Sequence, residues 1–146
     1  MKPRIIYKKR PKTVAQLKKE LVTVLHKYIR QRDSNDGYFV CICCDKPFPV
    51  AQMQAGHFIP STYAATKFDE DNIHGQSNGC NMFKRGNLIE YRPRLIKKIG
   101  KEAVEALEAR RHDEFKQPRE WYEEKILHYK NLINTLWKQP ARNRPN

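Results

Sequence analysis

Ala55-Gly56-His57-Phe58, Asp71-Asn72-Ile73-His74 and Cys80-Asn81-Met82-Phe83-Lys84 are the three runs that decide the fold of this chain. They place a histidine at position 57 and asparagines at positions 72 and 81, downstream of a Cys-x-x-Cys pair at positions 41 and 44. This order predicts a strand that carries the histidine, a loop that carries the first asparagine and a helix that carries the second. A short strand that enters a cysteine knuckle precedes them, so the sequence predicts an α+β core.

The residue types at positions 57, 72 and 81 are those that hydrolysis of a phosphodiester needs. Taken singly, each is more often structural, and it is their order that points to chemistry. His57 can act as general base and take a proton from an attacking water. The side-chain carbonyl of Asn72 can hold the His57 ring and set its tautomer. Asn81 can ligate Mg²⁺ or Mn²⁺, which would stabilise the charge that develops on the phosphate. The arrangement is similar to the HNH, or ββα-metal, nuclease core.

The cysteines predict a structural zinc site. Three of the four cysteines are crowded into positions 41–44, which favours metal binding over a disulfide framework. Cys41, Cys44 and Cys80 are the predicted ligands, because tetrahedral zinc takes thiolates readily but needs four donors. The candidates for the fourth donor are His74 and Cys43, and the sequence does not decide between them. The alternative is that these cysteines are small buried core residues, and His74 a structural hydrogen-bonding residue.

The charge of the chain predicts a polyanionic partner. Its 146 residues carry a formal net charge of +13, with a sequence pI of about 9.7. Such a balance favours double-stranded or branched DNA, held through its phosphates and recognised by shape rather than by sequence. The predicted phosphate contacts are Lys8, Lys9, Arg10, Lys18, Lys19, Arg30, Lys84, Arg85, Arg92, Lys97 and Lys98.

The sequence also predicts a compartment. No apolar run approaches the ~20 residues of a membrane span, and the N-terminus lacks the apolar core of a signal peptide. Free cysteines of this kind suit a reducing environment, so we expect a cytoplasmic protein with no membrane partner.

The chain divides into four predicted parts. Residues 1–12 form a flexible basic arm, residues 13–100 a nuclease-like core with an N-terminal helix, residues 101–138 a helical region, and residues 139–146 a disordered tail. A capping box at Thr13 and Gln16 begins the first helix, which ends near Arg32. Residues 48–58 hold the two strands of the ββα unit. The last helix is apolar enough to pack on its own core; the alternative is a homodimer interface.

At these residues the chain resembles the phage NinG/Rap recombination nucleases. The resemblance rests on Tyr28–Asp33, Cys41-x-x-Cys44, Ala55–Phe58, Asn72–Gln76, Cys80-Asn81, Gly86–Arg92 and Leu95–Lys97. It implies a treble-clef/HNH core flanked by N-terminal and C-terminal helices, with His57 as base and Asn72 and Asn81 beside it. It further implies an endonuclease for D-loops and Holliday junctions in the cytoplasm of a bacterial host cell.

Three departures from the pattern keep alternatives open. Ser77 stands where the family has cysteine, Gln54 where it often has an acid, and Gly56 where HNH enzymes generally place a metal-binding Asp or His. Acidic ligands for the catalytic ion are then undecided among residues 69–71 and Glu90. The alternatives are a less selective HNH nicking endonuclease and a non-catalytic, zinc-dependent DNA-binding module.

Overall fold

The computed structural model of the chain describes residues 10–138, with side chains through residue 136. Most of the predicted basic arm and the whole predicted tail lie outside the described residues. Within them, no helix is long and apolar enough to cross a membrane.

Helix α1 covers Val14–Arg32 and begins at the predicted capping box. The Thr13 side chain accepts from the Gln16 N–H, while the Gln16 side chain accepts from the Thr13 N–H, so two free helix N–H groups are satisfied. Its apolar stripe packs on the last helix, α4 (Arg119–Lys138), in a core that joins Leu17, Leu21, Val24, Leu25 and Ile29 to Tyr122, Ile126, Tyr129 and Ile133. The prediction that the last helix packs on its own core is therefore confirmed.

Three short antiparallel strands follow α1 and surround the cysteine knuckle. Strands β1 (Ser34–Asn35), β2 (Tyr38–Val40) and β3 (Pro47–Pro49) pair in the order β1-β2-β3. The turn between β1 and β2 uses positive φ at Asp36 and Gly37, as a two-residue hairpin requires. After β2 the chain folds back at once, because the Cys41 N–H donates to the Lys46 carbonyl at 3.0 Å.

The strand that ends at His57 has a different partner from the one predicted. Strand β4 (Met53–His57) pairs with β5 (Ile73–Ser77), not with β3, in a register that sets Met53 opposite Ser77 and His57 opposite Ile73. Two prolines in β3 and a 3₁₀ turn over Val50–Gln52 separate β3 from β4, and proline cannot donate to a ladder. Residues 73–77, for which no strand was predicted, are therefore the partner of β4.

The remaining chain is helical. A single π-helical turn over Gly79–Phe83 stands where a helix that carries Asn81 was predicted, and a left-handed loop at Arg85, Gly86 and Asn87 ends it. Helix α2 (Leu88–Ile99) and helix α3 (Lys101–Arg110) follow, separated by Gly100 at φ 93°, which lies at the predicted boundary after residue 100.

A buried ion pair fastens α1 to the hairpin. Arg32 binds the Asp33 carboxylate at 2.7 Å and donates to the Ile73 carbonyl at 2.8 Å. The same carboxylate accepts the Gly75 N–H at 2.7 Å. Since both charges are paired and hydrogen-bonded, their burial is tolerated, and the β4–β5 hairpin lies fixed between α1 on one face and α2 on the other.

Candidate functional site

Three of the predicted zinc ligands lie together. The Sγ atoms of Cys41, Cys44 and Cys80 are all within 4.8 Å of one another. The knuckle turn after β2 brings the first two together, and the π-helical turn after β5 presents the third. Zinc binds thiolates at ~2.3 Å in a tetrahedron, which sets its sulfur atoms roughly 3.8 Å apart. The donor set therefore fits a metal such as zinc.

Ser77 adjoins this cluster. Its Oγ lies 3.5 Å from the Cys41 Sγ and accepts the Cys80 N–H at 3.3 Å. Neither residue predicted as an alternative fourth ligand belongs to the group of three. His74 hydrogen-bonds with the Tyr91 hydroxyl at 3.3 Å. Cys43 adjoins the cluster through a hydrogen bond to Cys41, and its Sγ accepts the Gln76 amide at 2.9 Å. Side chains alternate along β5, so His74 faces α2 while Ser77 faces the knuckle.

The surroundings of the cluster favour a thiolate at Cys41. A hydrogen bond from Cys43 and the backbone N–H of Ser77, at 3.3 Å, lower the pKa of Cys41, although burial opposes them. The hydrogen bond between Cys43 and Cys41, together with burial, raises the pKa of Cys43, which therefore stays a thiol. The Asn87 side chain donates to the Cys80 Sγ at 3.6 Å. A metal held by Cys41, Cys44 and Cys80 would tie the knuckle to the turn that begins α2.

His57 is held in the form that a general base needs. It is the last residue of β4, and its Nε2 lies 3.0 Å from the Lys67 carbonyl oxygen. A carbonyl only accepts, so the ring proton is on Nε2 and the lone pair is on Nδ1. Burial lowers the pKa of His57, although the Lys67 carbonyl opposes this, so the ring is neutral at neutral pH.

Asn72 does not hold the His57 ring, contrary to the prediction. Its Oδ1 accepts the Ile59 N–H at 2.7 Å, and its Nδ2 donates to the carbonyls of Ile59 and Thr66, each at 3.0 Å. The side chain is fully buried, and its polar atoms bind the backbone of the loop between β4 and β5. That loop carries Lys67, so Asn72 fixes the carbonyl that orients His57 and acts on the ring indirectly.

Among the described hydrogen bonds, none links Asn81 to His57. Asn81 lies in the π-helical turn after β5, whereas His57 ends β4 opposite Ile73, so a shared role of the two side chains at one ion stays a prediction. Within residues 10–138, the three cysteines are the only group of three or more His, Cys, Asp or Glu placed to hold a metal. The acids considered as ligands lie apart: Asp69 pairs with Arg110, and Glu70 accepts from the Tyr129 hydroxyl.

The glycine at position 56, where HNH enzymes generally place a metal-binding Asp or His, has a steric reason. A Cβ at this position would lie 1.9 Å from the Gln76 Oε1, so the Gln76 side chain fills the place of a residue-56 side chain. That oxygen is buried and without a hydrogen-bond partner. Gln76 is fully buried, so this oxygen is closed to a hydrated ion.

A second histidine, His26, lies beside His57 and was not predicted from the sequence. The His26 ring lies 5.7 Å from the His57 ring, centroid to centroid, and burial lowers the pKa of His26 to about 4. It projects from α1 into a groove that also contains Lys27 and Arg30. No sequence motif marks His26, because only the docking of α1 on the hairpin brings it to the site.

The predicted phosphate contacts fall into three groups. Arg92 and Lys98 pair with Glu108 and Asp33, so their charges serve the fold. Lys8 and Lys9 lie outside the described residues. Exposed basic side chains without an ion pair inside the described chain remain at Arg10, Lys18, Lys19, Arg30, Lys84, Arg85 and Lys97.

Sequence comparison decides the family. The family described as Bacteriophage Lambda NinG protein matches residues 2–139, nearly the whole chain. The chain belongs to the NinG family. NinG-family relatives include the protein ninG of Escherichia phage 933W, 40% identical over 92 residues, which are 62% of this chain and 44% of that protein. The protein ninG of Escherichia phage lambda is 36% identical over 120 residues, 77% of this chain and 57% of its own length. The protein ninG of Salmonella phage P22 is 36% identical over 115 residues, which are 74% of this chain and 55% of that protein.

The chain thus spans about half the length of the NinG relatives it matches. No solved structure matches it.

Proposed function

We propose that this NinG-family chain is an endonuclease of phage recombination that cleaves branched DNA, such as D-loops and Holliday junctions, with His57 as general base. The observation that carries the proposal is the state of that ring. His57 is neutral, and its Nε2–H is bound to the Lys67 carbonyl at 3.0 Å. A histidine of this kind keeps one basic nitrogen for a substrate water.

The proposed chemistry is a hydrolysis. The Nδ1 atom of His57 takes a proton from water as the water oxygen attacks phosphorus, and the P–O bond to the leaving nucleotide breaks. The Lys67 carbonyl stabilises the imidazolium that forms, because it already accepts the Nε2 proton. A divalent ion, Mg²⁺ or Mn²⁺, would neutralise the leaving oxygen when the substrate phosphates carry it to the site.

The cysteine cluster has a structural part in this proposal. Zinc at Cys41, Cys44 and Cys80 would join the knuckle to the turn that precedes α2. The exposed basic residues would hold the DNA through its phosphates, so binding should weaken steeply with salt.

The test is cleavage of a labelled four-way junction beside a linear duplex of the same sequence, with Mg²⁺ or Mn²⁺. We expect the parent to cut the junction and His57→Ala to lose at least 100-fold in rate. His128→Ala removes an exposed histidine of α4 and is the matched control. Unchanged cutting by a folded His57→Ala protein would contradict the proposal, and equal cutting of junction and duplex would favour a less selective nickase.

A second candidate is a zinc-dependent DNA-binding module without catalysis. One observation favours it: the place of the metal-binding residue of HNH enzymes is glycine here, and Gln76 fills it. This candidate predicts tight junction binding with no cleavage in any divalent metal.

A further inference from the structure

Four large apolar side chains are exposed in one short run of the chain. Met82, Phe83, Leu88 and Ile89, here called the apolar tip, are 64%, 83%, 42% and 87% exposed. They account for half of the large exposed hydrophobic residues in the described part of the chain. Apolar side chains scattered singly on a surface are ordinary, but a concentrated group marks a surface that binds something.

The loop inside the apolar tip is held rigidly. Arg85 and Asn87 adopt left-handed φ values of 48° and 47° on either side of Gly86, which is unfavourable for residues with a side chain. Hydrogen bonds maintain this backbone: the Gly86 N–H donates to the Cys80 carbonyl at 3.1 Å, and the Gly86 carbonyl accepts the Gln76 amide at 2.6 Å. The loop between the two halves of the tip is therefore tied through Gly86 to Cys80 and to Gln76.

The charge next to the tip indicates what binds there. Lys84 and Arg85 lie between its two halves, both exposed, and neither forms an ion pair with a described residue. Glu90 is the one acid that adjoins them in sequence. An apolar projection flanked by cations fits a polyanion that also offers flat apolar faces, and unstacked DNA bases between phosphates have that chemistry.

We propose that the apolar tip inserts at the branch point of DNA, where Phe83 and Ile89 stack on unpaired or unstacked bases while Lys84 and Arg85 hold the adjoining phosphates. The inference rests on the proposed function, since it supplies the branch preference of that enzyme. A linear duplex keeps its bases stacked and must be opened before it can accept such a wedge, whereas a branch point already exposes base faces.

The test measures binding in the His57→Ala background, where the DNA is not cut. A four-way junction carries 2-aminopurine at the branch, and a linear duplex carries it at the same sequence position. We expect Phe83→Ala/Ile89→Ala to bind the junction about tenfold more weakly, with duplex affinity within about twofold, because stacking energy is lost only where a base is free. Binding of the parent should raise the 2-aminopurine fluorescence at the branch, because insertion separates the labelled base from its neighbours. This rise should disappear in the double variant. Tyr38→Ala/Leu127→Ala, at 59% and 60% exposure, is the matched control.

Three outcomes would overturn the inference. The double variant binds the junction as tightly as its parent with the full fluorescence rise, or it weakens junction and duplex equally. In the third, sedimentation shows a dimer for the parent and a monomer for the variant, which makes the tip a contact between copies of the chain. Failure of the proposed nuclease is distinguishable, because it would appear as absent cleavage by the protein with His57 while branch binding still depends on the tip.

Discussion

Replacing Ser77 with cysteine should convert a three-thiolate zinc site into a four-thiolate one. The Ser77 Oγ lies 3.5 Å from the Cys41 Sγ, close to the ~3.8 Å expected between sulfur atoms of a tetrahedral site, so a thiol at position 77 could supply the fourth donor. The side chain is 3% exposed, so the new sulfur would be held in place by its surroundings. Little movement of the backbone is required.

The size of the gain follows from the energetics of complete sites. Structural zinc binds four-ligand peptides with about 10–16 kcal/mol, so one ligand of four contributes about 2.5–4 kcal/mol. A neutral hydroxyl supplies little of this. Ser77→Cys should therefore tighten zinc binding by on the order of 100-fold, and at saturating zinc this adds about 2.7 kcal/mol to the free energy of unfolding.

The assay is competition between metal-free protein and a zinc-binding dye, followed by thermal unfolding with and without zinc. Ser61→Cys, which places a thiol on an exposed loop, is the matched control. The parent should bind zinc more weakly than Ser77→Cys and lose it to the dye first. Equal zinc affinities for the parent, Ser77→Cys and Ser61→Cys would refute the inference that a thiol at position 77 supplies the fourth donor.

Three further predictions follow from buried or paired groups. Asn72→Ala should destabilise the fold by about 3 kcal/mol in urea unfolding, since three buried backbone groups lose their partner, whereas Asn81→Ala should change stability by less than about 0.5 kcal/mol. Burial lowers the pKa of His74 to about 3, so its neutral form stabilises the fold above its unfolded pKa. That stability falls below pH 6.5, by about 2 kcal/mol at pH 5, and urea unfolding at pH 7 and pH 5 should show a smaller loss for His74→Gln. Finally, Lys84→Ala should weaken DNA binding and lower its salt slope by about 0.9, while Arg92→Ala, whose charge is paired with Glu108, should leave the slope nearly unchanged.

The local elements of the fold were predictable because their signals are local. The capping box at Thr13 and the cysteine knuckle each act within a few residues, and the structure has both. Residues of β5 gave no such signal. Ile73–Ser77 is buried on both faces and is mostly polar, so it lacks the alternation that marks a half-buried strand.

The candidate site was predictable in its residues but not in its contacts. The order of motifs identified His57, yet the group that orients it is a backbone carbonyl, which no side-chain pattern can reveal. Asn72 was given a direct role because its amide suits one, whereas the loop it closes uses that amide completely. His26 reaches the site through tertiary packing alone.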